Sequence, residues 1–282
     1  MVSKIINPKE PIVICDIGAS SIDTNIWTSI DDLMNNTNSI LYGFEPNEDE
    51  FSKLNQTEKK KYFNIAIGNG ENESLNICAA PGMSSMLKPD LQYLNLFNGF
   101  AEWAKINKSI NIKTQKLDEI NFEKKIDFFK IDVQGYEYEI IKHGEKKLKD
   151  SLIIQIETSP IPLYENEKSF SYISSKLEDL GLNLHMFYKI ETKCFKPMTV
   201  QNNIYTGIKH LFQLDCVFIK NLNLIDNLNV DELKKLALIL FYSFKSYDLV
   251  DLLLQKISKI ESNDYNAQYR DLMKTIKINK NY

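Results

Sequence analysis

Four acidic residues each follow directly on an apolar run that is typical of a buried strand: Asp16, Glu45, Asp132 and Glu157. In a doubly wound parallel sheet, ligands bind in the crevice outside the carboxyl ends of the strands. Carboxylates placed there can accept hydrogen bonds from hydroxyl groups or take up a proton. The spacing therefore predicts one pocket whose acidic groups come from separate strands.

The ends of the first two strands argue against a dinucleotide site. Gly18 permits a tight turn after Asp16, and the helix start behind it offers backbone N–H groups to a carboxylate. The segment lacks the three glycines of the G-x-G-x-x-G pattern, which disfavours an NAD-dependent oxidoreductase. Glu45 suits the two hydroxyls of a ribose, and the alternative is a turn residue that Pro46 holds in extended conformation.

Lys130 and Asp132 are two residues apart on one predicted strand, so their side chains share a face. The functional interpretation places Asp132 against a cofactor and an acceptor, as the base that takes the acceptor's proton, with Lys130 paired to it. The alternative is a buried ion pair with a structural role only. We favour function, because both residues lie at the carboxyl end of the strand.

Two further residues are candidates for proton transfer. Glu157 ends the fifth core strand and is expected to form the next wall of the pocket. His210 precedes the last strand, and its neutral imidazole can accept a proton near pH 7. A lone histidine is more often structural, and His143 and His185 are weaker candidates still. Glu137 is expected to cap the helix after Asp132.

The elements that position these residues alternate between short apolar runs and amphipathic segments. Core strands are predicted at residues 12–15, 40–44, 62–67, 126–131, 152–156, 182–190 and 211–220, with shorter ones at 74–79 and 110–116. This alternation indicates an α/β fold with a doubly wound, mostly parallel sheet. After residue 221 the apolar residues follow helical spacing alone, which predicts a C-terminal all-helical extension.

We therefore predict two domains, residues 1–220 and residues 221–282, with an insertion in the first at about 80–108. The insertion is rich in aromatic residues. They are expected to pack as a small helical subcore, since buried aromatics mostly serve packing. The alternative is a lid that stacks on a sugar ring.

Composition excludes several classes. Of 34 basic residues only Arg270 is an arginine, and the net charge is −4, so a nucleic-acid reader is not expected. The four cysteines form no C-x-x-C pair or Cys/His cluster, so no metal site is predicted. No secretory leader and no apolar run long enough to span a bilayer is recognised, which predicts a cytoplasmic protein without a membrane span.

Several blocks in one order carry a family resemblance: Asp16-Ile17-Gly18-Ala19-Ser20, Gly43-Phe44-Glu45-Pro46-Asn47, Ala66-Ile67-Gly68-Asn69, Leu117-Asp118-Glu119-Ile120, Lys130-Ile131-Asp132-Val133-Gln134-Gly135-Tyr136-Glu137 and Ile156-Glu157. Together they resemble the FkbM family of S-adenosylmethionine-dependent methyltransferases, on the class I Rossmann-like fold. The resemblance covers roughly residues 11–220. Gln134 stands where this family more commonly has Glu.

The resemblance implies a set of roles around S-adenosylmethionine. The methionine part of the cofactor is flanked by residues of the first turn, namely Asp16, Gly18, Ala19 and Ser20. Glu45, with Pro46 after it, holds the ribose hydroxyls, and Asp132 lies against the cofactor. Asn64 and Ala66 lie beside the adenine. Strand order 3-2-1-4-5-7-6 with an antiparallel last strand is implied as well, and Ser84 and Ser85 match a small-hydroxyl block.

The leading hypothesis is therefore O-methylation of a sugar hydroxyl, the sugar belonging to a surface polysaccharide such as a capsule, a glycolipid or a nucleotide-linked precursor. Two alternatives stay open. One is methylation of a non-sugar hydroxyl or a nitrogen, and the other is a non-catalytic cofactor-fold module for assembly. The C-terminal helices are a possible homodimer interface, and packing within one chain is an equal alternative.

Overall fold

The structure, a computed structural model, describes residues 2–19 and 27–276. Its strands in chain order are β1 Ile12–Ile17, β2 Ser39–Phe44, β3 Lys60–Phe63, β4 Ala66–Ile67, β5 Asn72–Cys78, β6 Ile106–Gln115, β7 Phe128–Ile131, β8 Ile153–Thr158, β9 Leu182–Lys193 and β10 His210–Lys220. The helices are α1 Trp27–Asn36, α2 Glu48–Phe51, α3 Leu91–Leu94, α4 Phe100–Trp103, α5 Glu137–Lys142, α6 Glu145–Asp150, α7 Phe170–Asp179, α8 Val230–Tyr242, α9 Tyr247–Glu261 and α10 Tyr265–Met273.

Seven strands form the main sheet, in the order β3-β2-β1-β7-β8-β10-β9. The β2–β3, β1–β7 and β7–β8 pairs are parallel, whereas β10 runs antiparallel to both β8 and β9. Counted along the chain within this sheet, the order is 3-2-1-4-5-7-6. The predicted order and the antiparallel last strand are therefore confirmed, and the fold is a class I methyltransferase-type α/β sheet.

Continuous apolar runs form the central strands of this sheet. Both faces of these strands are covered, so their residues do not alternate between apolar and polar as they would with one face in water. Every residue of β1 and β7 is buried. The register places Asp16 beside Lys130 and Lys130 beside Gln155, so these polar side chains share one face of the sheet. Three neighbouring strands thus carry polar groups toward one edge.

The predicted third strand, residues 62–67, is wrong in extent. β3 ends at Phe63, and the chain then leaves the main sheet to form β4, which pairs with β6 in a separate three-stranded sheet of order β4-β6-β5. The break falls at Asn64, whose side-chain amide donates to the carbonyls of Glu45 and Pro46. The Asn64 side chain thus fastens the point where the chain leaves the main sheet to the turn after β2.

The chain forms two compact units. The sheet unit contains residues 14–19 and 41–221, and the helical unit contains residues 2–13, 27–40 and 222–276. The predicted boundary between residues 220 and 221 stays a prediction. In the structure, residues 222–276 share their unit with segments from the first forty residues.

The helical unit is built by α8, which packs on α9 and α1. Its apolar residues recur at helical spacing, and α8 begins at a capping box in which the Asn229 side chain accepts from the Glu232 N–H and the Glu232 carboxylate accepts from the Asn229 N–H. Tyr242, fully buried at the end of α8, bonds through its hydroxyl to the Ser3 hydroxyl at 2.9 Å. These contacts explain why N-terminal residues belong to this unit.

Candidate functional site

The four predicted strand-end carboxylates gather at the carboxyl edge of β2, β1, β7 and β8, which are neighbours in the sheet. Asp16 lies in β1 and Glu157 in β8, while Glu45 and Asp132 follow the last residues of β2 and β7. Parallel neighbours bring their carboxyl ends to the same edge. The edge is therefore acidic over four adjacent strands.

Lys130 lies between two of these carboxylates. Its Nζ is 3.3 Å from Oδ1 of Asp16 and 3.5 Å from Oδ2 of Asp132. Burial alone would lower the pKa of Lys130, but the carboxylates of Asp16 and Asp132 outweigh burial and raise it. Burial raises the pKa of Asp16, which Lys130 opposes. Lys130 is thus a fixed buried cation that orients Asp132.

The turn after β1 is locked onto its neighbours by backbone contacts. Gly18 has a φ of +86°, and the N–H groups of Gly18 and Ala19 both donate to the carbonyl of Phe44. On the other side, the N–H of Asp132 donates to the carbonyl of Ile17. A Cβ on Gly18 would lie 1.8 Å from the Asp132 carbonyl oxygen, so only glycine fits.

The remaining predicted residues of this turn have different fates. Ala19 is fully buried, close to the position that a Cβ on Gly43 would take, so its side chain supports the turn from within. Ser20 lies outside the described residues. The N–H groups of Gly18 and Ala19 both bind the Phe44 carbonyl, so the predicted binding of a ligand carboxylate by N–H groups of this turn stays a prediction.

Glu45 combines burial with an incomplete set of partners. Its Oε1 accepts the Asn47 N–H at 2.7 Å, and no other hydrogen bond from a described residue reaches this carboxylate. Burial raises the pKa of Glu45 to about 7, with the Asn47 bond opposing and nearby acids adding to the rise. Asn64 holds the backbone of Glu45 and Pro46 in place. A desolvated carboxylate in this state is suited to accept hydroxyl donors.

Ala66, predicted beside the adenine, is buried in β4 and pairs with Thr114 of β6. It follows closely on Asn64, at the point where the chain leaves the main sheet. The structure therefore places the predicted adenine residues in the connection between the two sheets.

A second cluster joins Asp132 to Glu157 through a residue that sequence reasoning passed over. The Gln134 amide nitrogen donates to Oδ1 of Asp132 at 3.0 Å and to Oε2 of Glu157 at 2.7 Å. The side-chain carbonyl oxygen of Gln134 accepts from the Tyr164 hydroxyl at 3.2 Å. Gln213 also donates to Oε2 of Glu157, at 3.0 Å. Burial, then the charges of Asp132 and other acids, raise the pKa of Glu157 well above its ordinary value.

The sequence does mark position 134 as unusual, because glutamine stands there where the FkbM family more commonly has glutamate. That departure indicated only the loss of a charge. The hydrogen bonds from Gln134 to both Asp132 and Glu157 depend on the spacing of β7 and β8. The sequence around Tyr164 and Gln213 does not indicate that these residues contact the pair.

His210 is not brought to this cluster. It stands five residues before Asp215, which pairs with Glu157, and five strand residues span about 16 Å. Its Nε2 bonds to the Tyr93 hydroxyl at 2.8 Å, and its ring stacks on Phe97. The structure therefore gives His210 a place among aromatic side chains of the insertion.

The insertion forms a packed subcore, as expected from its composition. Its buried members come from the insertion, the segment after β8, and β10: Leu94, Phe97, Phe100, Ala104, Leu163, Tyr164 and Phe212. Trp103 and Tyr93 pack against this core and are partly buried. Tyr164, from the segment after β8, connects this subcore to Gln134.

Three further polar residues near the site have structural partners. Oε1 of Glu137 accepts the N–H groups of Val133 and Gly135, which caps the turn before α5. The Ser84 hydroxyl accepts the Cys78 N–H, and the Ser85 hydroxyl donates to the Gln134 carbonyl at 2.6 Å. Both serines thus hold backbone in place, and the small-hydroxyl role that the resemblance implies for them stays a prediction.

Among residues 2–19 and 27–276, no group of three or more His, Cys, Asp and Glu side chains is arranged to hold a metal ion. In the same part of the chain, no helix has the length and apolar character needed to cross a membrane.

Comparison with known proteins identifies the family. The model of the methyltransferase FkbM domain matches residues 16–184. The chain therefore belongs to the FkbM methyltransferase family, whose methyl donor is S-adenosylmethionine. No curated protein matches the chain significantly in sequence.

Solved structures show only distant similarity. Magnesium protoporphyrin IX methyltransferase from Synechocystis PCC 6803, solved with bound SAM, is 9% identical at a TM-score of 0.38, covering 75% of this chain and 71% of that one. A putative methyltransferase from Thermoplasma acidophilum is 8% identical at a TM-score of 0.37, covering 77% and 70%.

The residues present fit S-adenosylmethionine. The fit rests on Glu45, a buried carboxylate with one oxygen left without a donor from the described residues, at the strand end where a ribose binds in such sheets. The acidic edge as a whole also suits a ligand that carries a positive sulfonium.

Proposed function

We propose that this chain transfers a methyl group from S-adenosylmethionine to a hydroxyl of a sugar, within a surface polysaccharide, a glycolipid or a nucleotide-linked precursor. The observation that carries the proposal is the pair of different carboxylate environments at one sheet edge. Glu45 is poised to accept hydroxyl donors, while Asp132 and Glu157 form a separate cluster two to three strands away. A donor site beside an acceptor site with an available base is what O-methyl transfer requires.

The donor side of the site uses the predicted cofactor residues. When bound, S-adenosylmethionine supplies a methyl group that its sulfonium already activates, so the chain has mainly to align the reactants. In this proposal Glu45 accepts the ribose hydroxyls, with Pro46 and Asn64 fixing its backbone and Ala66 beside the adenine. Asp16, Gly18, Ala19 and Ser20 flank the methionine portion.

On the acceptor side, the hydroxyl must lose a proton. Both oxygens of Asp132 are engaged, one by Lys130 and one by Gln134. Oε1 of Glu157 receives no hydrogen bond from a described residue, and its carboxyl group has a raised pKa. We therefore assign proton uptake to Glu157 and the orientation of the acceptor to Asp132, held by Lys130. The role of His210 as a base stays a prediction from the sequence.

Transfer of an isotope-labelled methyl group to a panel of sugars, nucleotide sugars and glycolipids tests the function. Mass spectrometry should find one O-methyl group added to at least one sugar. Glu157→Gln should lower turnover about 10²–10⁴-fold, the range of general acid–base catalysis. Asp132→Asn should lower it about 10²-fold, the size expected when an orienting group is lost. An exposed acid of α2, Glu48→Gln, is the matched control and should leave turnover unchanged.

Methylation of amines or non-sugar hydroxyls, with every sugar refused, would contradict the acceptor class. A folded chain that binds the donor and methylates nothing would favour the assembly module instead.

We place the reaction in the cytoplasm, where thiols stay reduced. All four cysteines are free and buried, which suits that compartment. We further propose a homodimer through the helical unit. Leu252 and Ile260 of α9 are exposed apolar side chains that such an interface would cover.

A further inference from the structure

The backbone of Gln134 is held in an uncommon conformation. Its φ is +56°, in the left-handed region that non-glycine residues rarely adopt, and Gly135 follows at +95°. The Ser85 hydroxyl donates to the Gln134 carbonyl at 2.6 Å, and the Tyr164 ring packs on Gly135 so closely that a Cβ there would lie 2.8 Å from it. Such a conformation persists where surrounding contacts over-determine it, typically at functional sites.

The side chain of Gln134 is fixed as firmly as its backbone. The two N–H bonds of its amide nitrogen go to Asp132 and Glu157, and its carbonyl oxygen faces the Tyr164 hydroxyl, which also reaches the Met83 carbonyl at 3.2 Å. The reverse orientation would point the amide oxygen at two carboxylates. Electrostatics therefore set which way the amide faces.

The Gln134 amide gives the carboxylates of Asp132 and Glu157 different sets of hydrogen-bond partners. Asp132 has Lys130 on one oxygen and Gln134 on the other. Glu157 has both of its donors, Gln134 and Gln213, on Oε2, so Oε1 faces away from the bridge without a donor from the described residues.

We propose that Gln134 is a positioning residue for methyl transfer, whose amide clamps Asp132 and Glu157 and turns Oε1 of Glu157 toward the acceptor hydroxyl. This inference rests on the proposed function. As the acceptor O–H bond breaks, its proton passes to Oε1 and its electron pair forms the O–CH₃ bond. The C–S bond of the donor breaks, and its electron pair stays on sulfur. The proton then leaves Glu157 to solvent.

The charges with the largest effect on the pKa of Glu157 belong to three acids and one lysine. Asp132 and Glu137 follow β7, Asp215 lies on β10, and Lys189 lies on β9. Three acids against one base leave the ionised form of Glu157 dependent on its two amide donors. Removing a donor from the ionised form raises the pKa of a carboxyl group.

Gln134→Met and Gln213→Met test the clamp, with Gln255→Met on α9 as the matched control. Gln134→Met removes donors from both carboxylates and should lower kcat at pH 7 at least tenfold. It should also move the acid limb of the kcat profile up by about one pH unit, the size expected for a lost bond to a charged group. Gln213→Met should move the acid limb by a similar amount. Its loss of kcat should be smaller, because Asp132 keeps the hydrogen bond from Gln134. The dissociation constant for S-adenosylhomocysteine should change less than twofold in all three.

Gln134→Glu keeps the shape of the side chain and replaces the donating amide by a carboxylate. It should move the acid limb of the kcat profile to still higher pH, and it replaces Gln134→Met as the test if that variant does not fold. Unchanged kcat and an unchanged acid limb in the folded Gln134 variants would overturn the clamp while leaving the wild-type activity, and so the proposed function, intact. Absence of methyl transfer by the wild-type enzyme would instead overturn the proposed function.

Discussion

Two glutamates at one sheet edge share a raised pKa but differ in what surrounds them. Glu45 has one backbone donor and is destabilised as an anion chiefly by burial. Glu157 has two amide donors on one oxygen and several acids nearby. The first environment suits a hydroxyl-binding anion, and the second suits a group that takes up a proton. At the scale of single residues, the site is thus divided by the neighbours of its carboxylates.

Glu45 predicts a pH dependence of cofactor binding. In the proposed site its ionised form accepts the ribose hydroxyls, and burial raises its pKa to about 7. Below pH 7 a growing fraction is protonated, so binding must release a proton and the dissociation constant should rise toward tenfold per pH unit. Above pH 8 it should level off. Calorimetric titration of S-adenosylhomocysteine between pH 5.5 and 8.5 measures this.

Glu45→Gln should remove that dependence. The same variant should bind about 10- to 100-fold more weakly at pH 8, as expected for bonds to a charged group. Glu48→Gln should behave as wild type. A pH dependence that survives in Glu45→Gln would mean that another group titrates on binding.

At the scale of elements, the turn after β1 holds three strands in register. Gly18 touches the turn after β7, and its N–H bonds the end of β2. Glu45 and Asp132, the carboxylates proposed to hold the cofactor and the acceptor, lie on either side of this contact. Their separation therefore depends on a backbone approach that no side chain permits.

Gly18→Ala tests this approach. A Cβ 1.8 Å from the Asp132 carbonyl, at a positive φ, should lower the free energy of unfolding by about 3 kcal/mol or more, and cofactor binding should be lost. Gly82→Ala, where an added Cβ meets nothing within 4 Å, is the control and should change stability by less than about 0.5 kcal/mol. Chemical denaturation measures both. Equal stability of the two variants would contradict the account of the turn.

Much of this architecture follows from local sequence. The buried runs of β1, β7 and β8 predicted parallel strands, and the acids after them predicted the edge that carries the site. The break after Phe63 was not predicted, because it depends on Asn64 reaching the neighbouring turn. The clamp was missed for the same kind of reason, since Gln134, Tyr164 and Gln213 meet only across strands and loops.

At the scale of the whole molecule, the family match and the compact units do not coincide. The match ends at residue 184, whereas the sheet unit continues through β10 to residue 221. β10 supplies Asp215 and Gln213 to the surroundings of Glu157. The residues that surround the proposed base thus include some beyond the matched segment.

The proposed roles of these carboxylates all require that the acidic edge of the sheet binds S-adenosylmethionine. Titration of S-adenosylhomocysteine into the wild-type protein at pH 8, followed by calorimetry, tests it most directly. We expect one site per chain with a dissociation constant on the order of micromolar, a binding free energy of about −8 kcal/mol. A correctly folded protein that gives no binding heat and gains no thermal stability at millimolar ligand would show that the acidic edge is not a cofactor site.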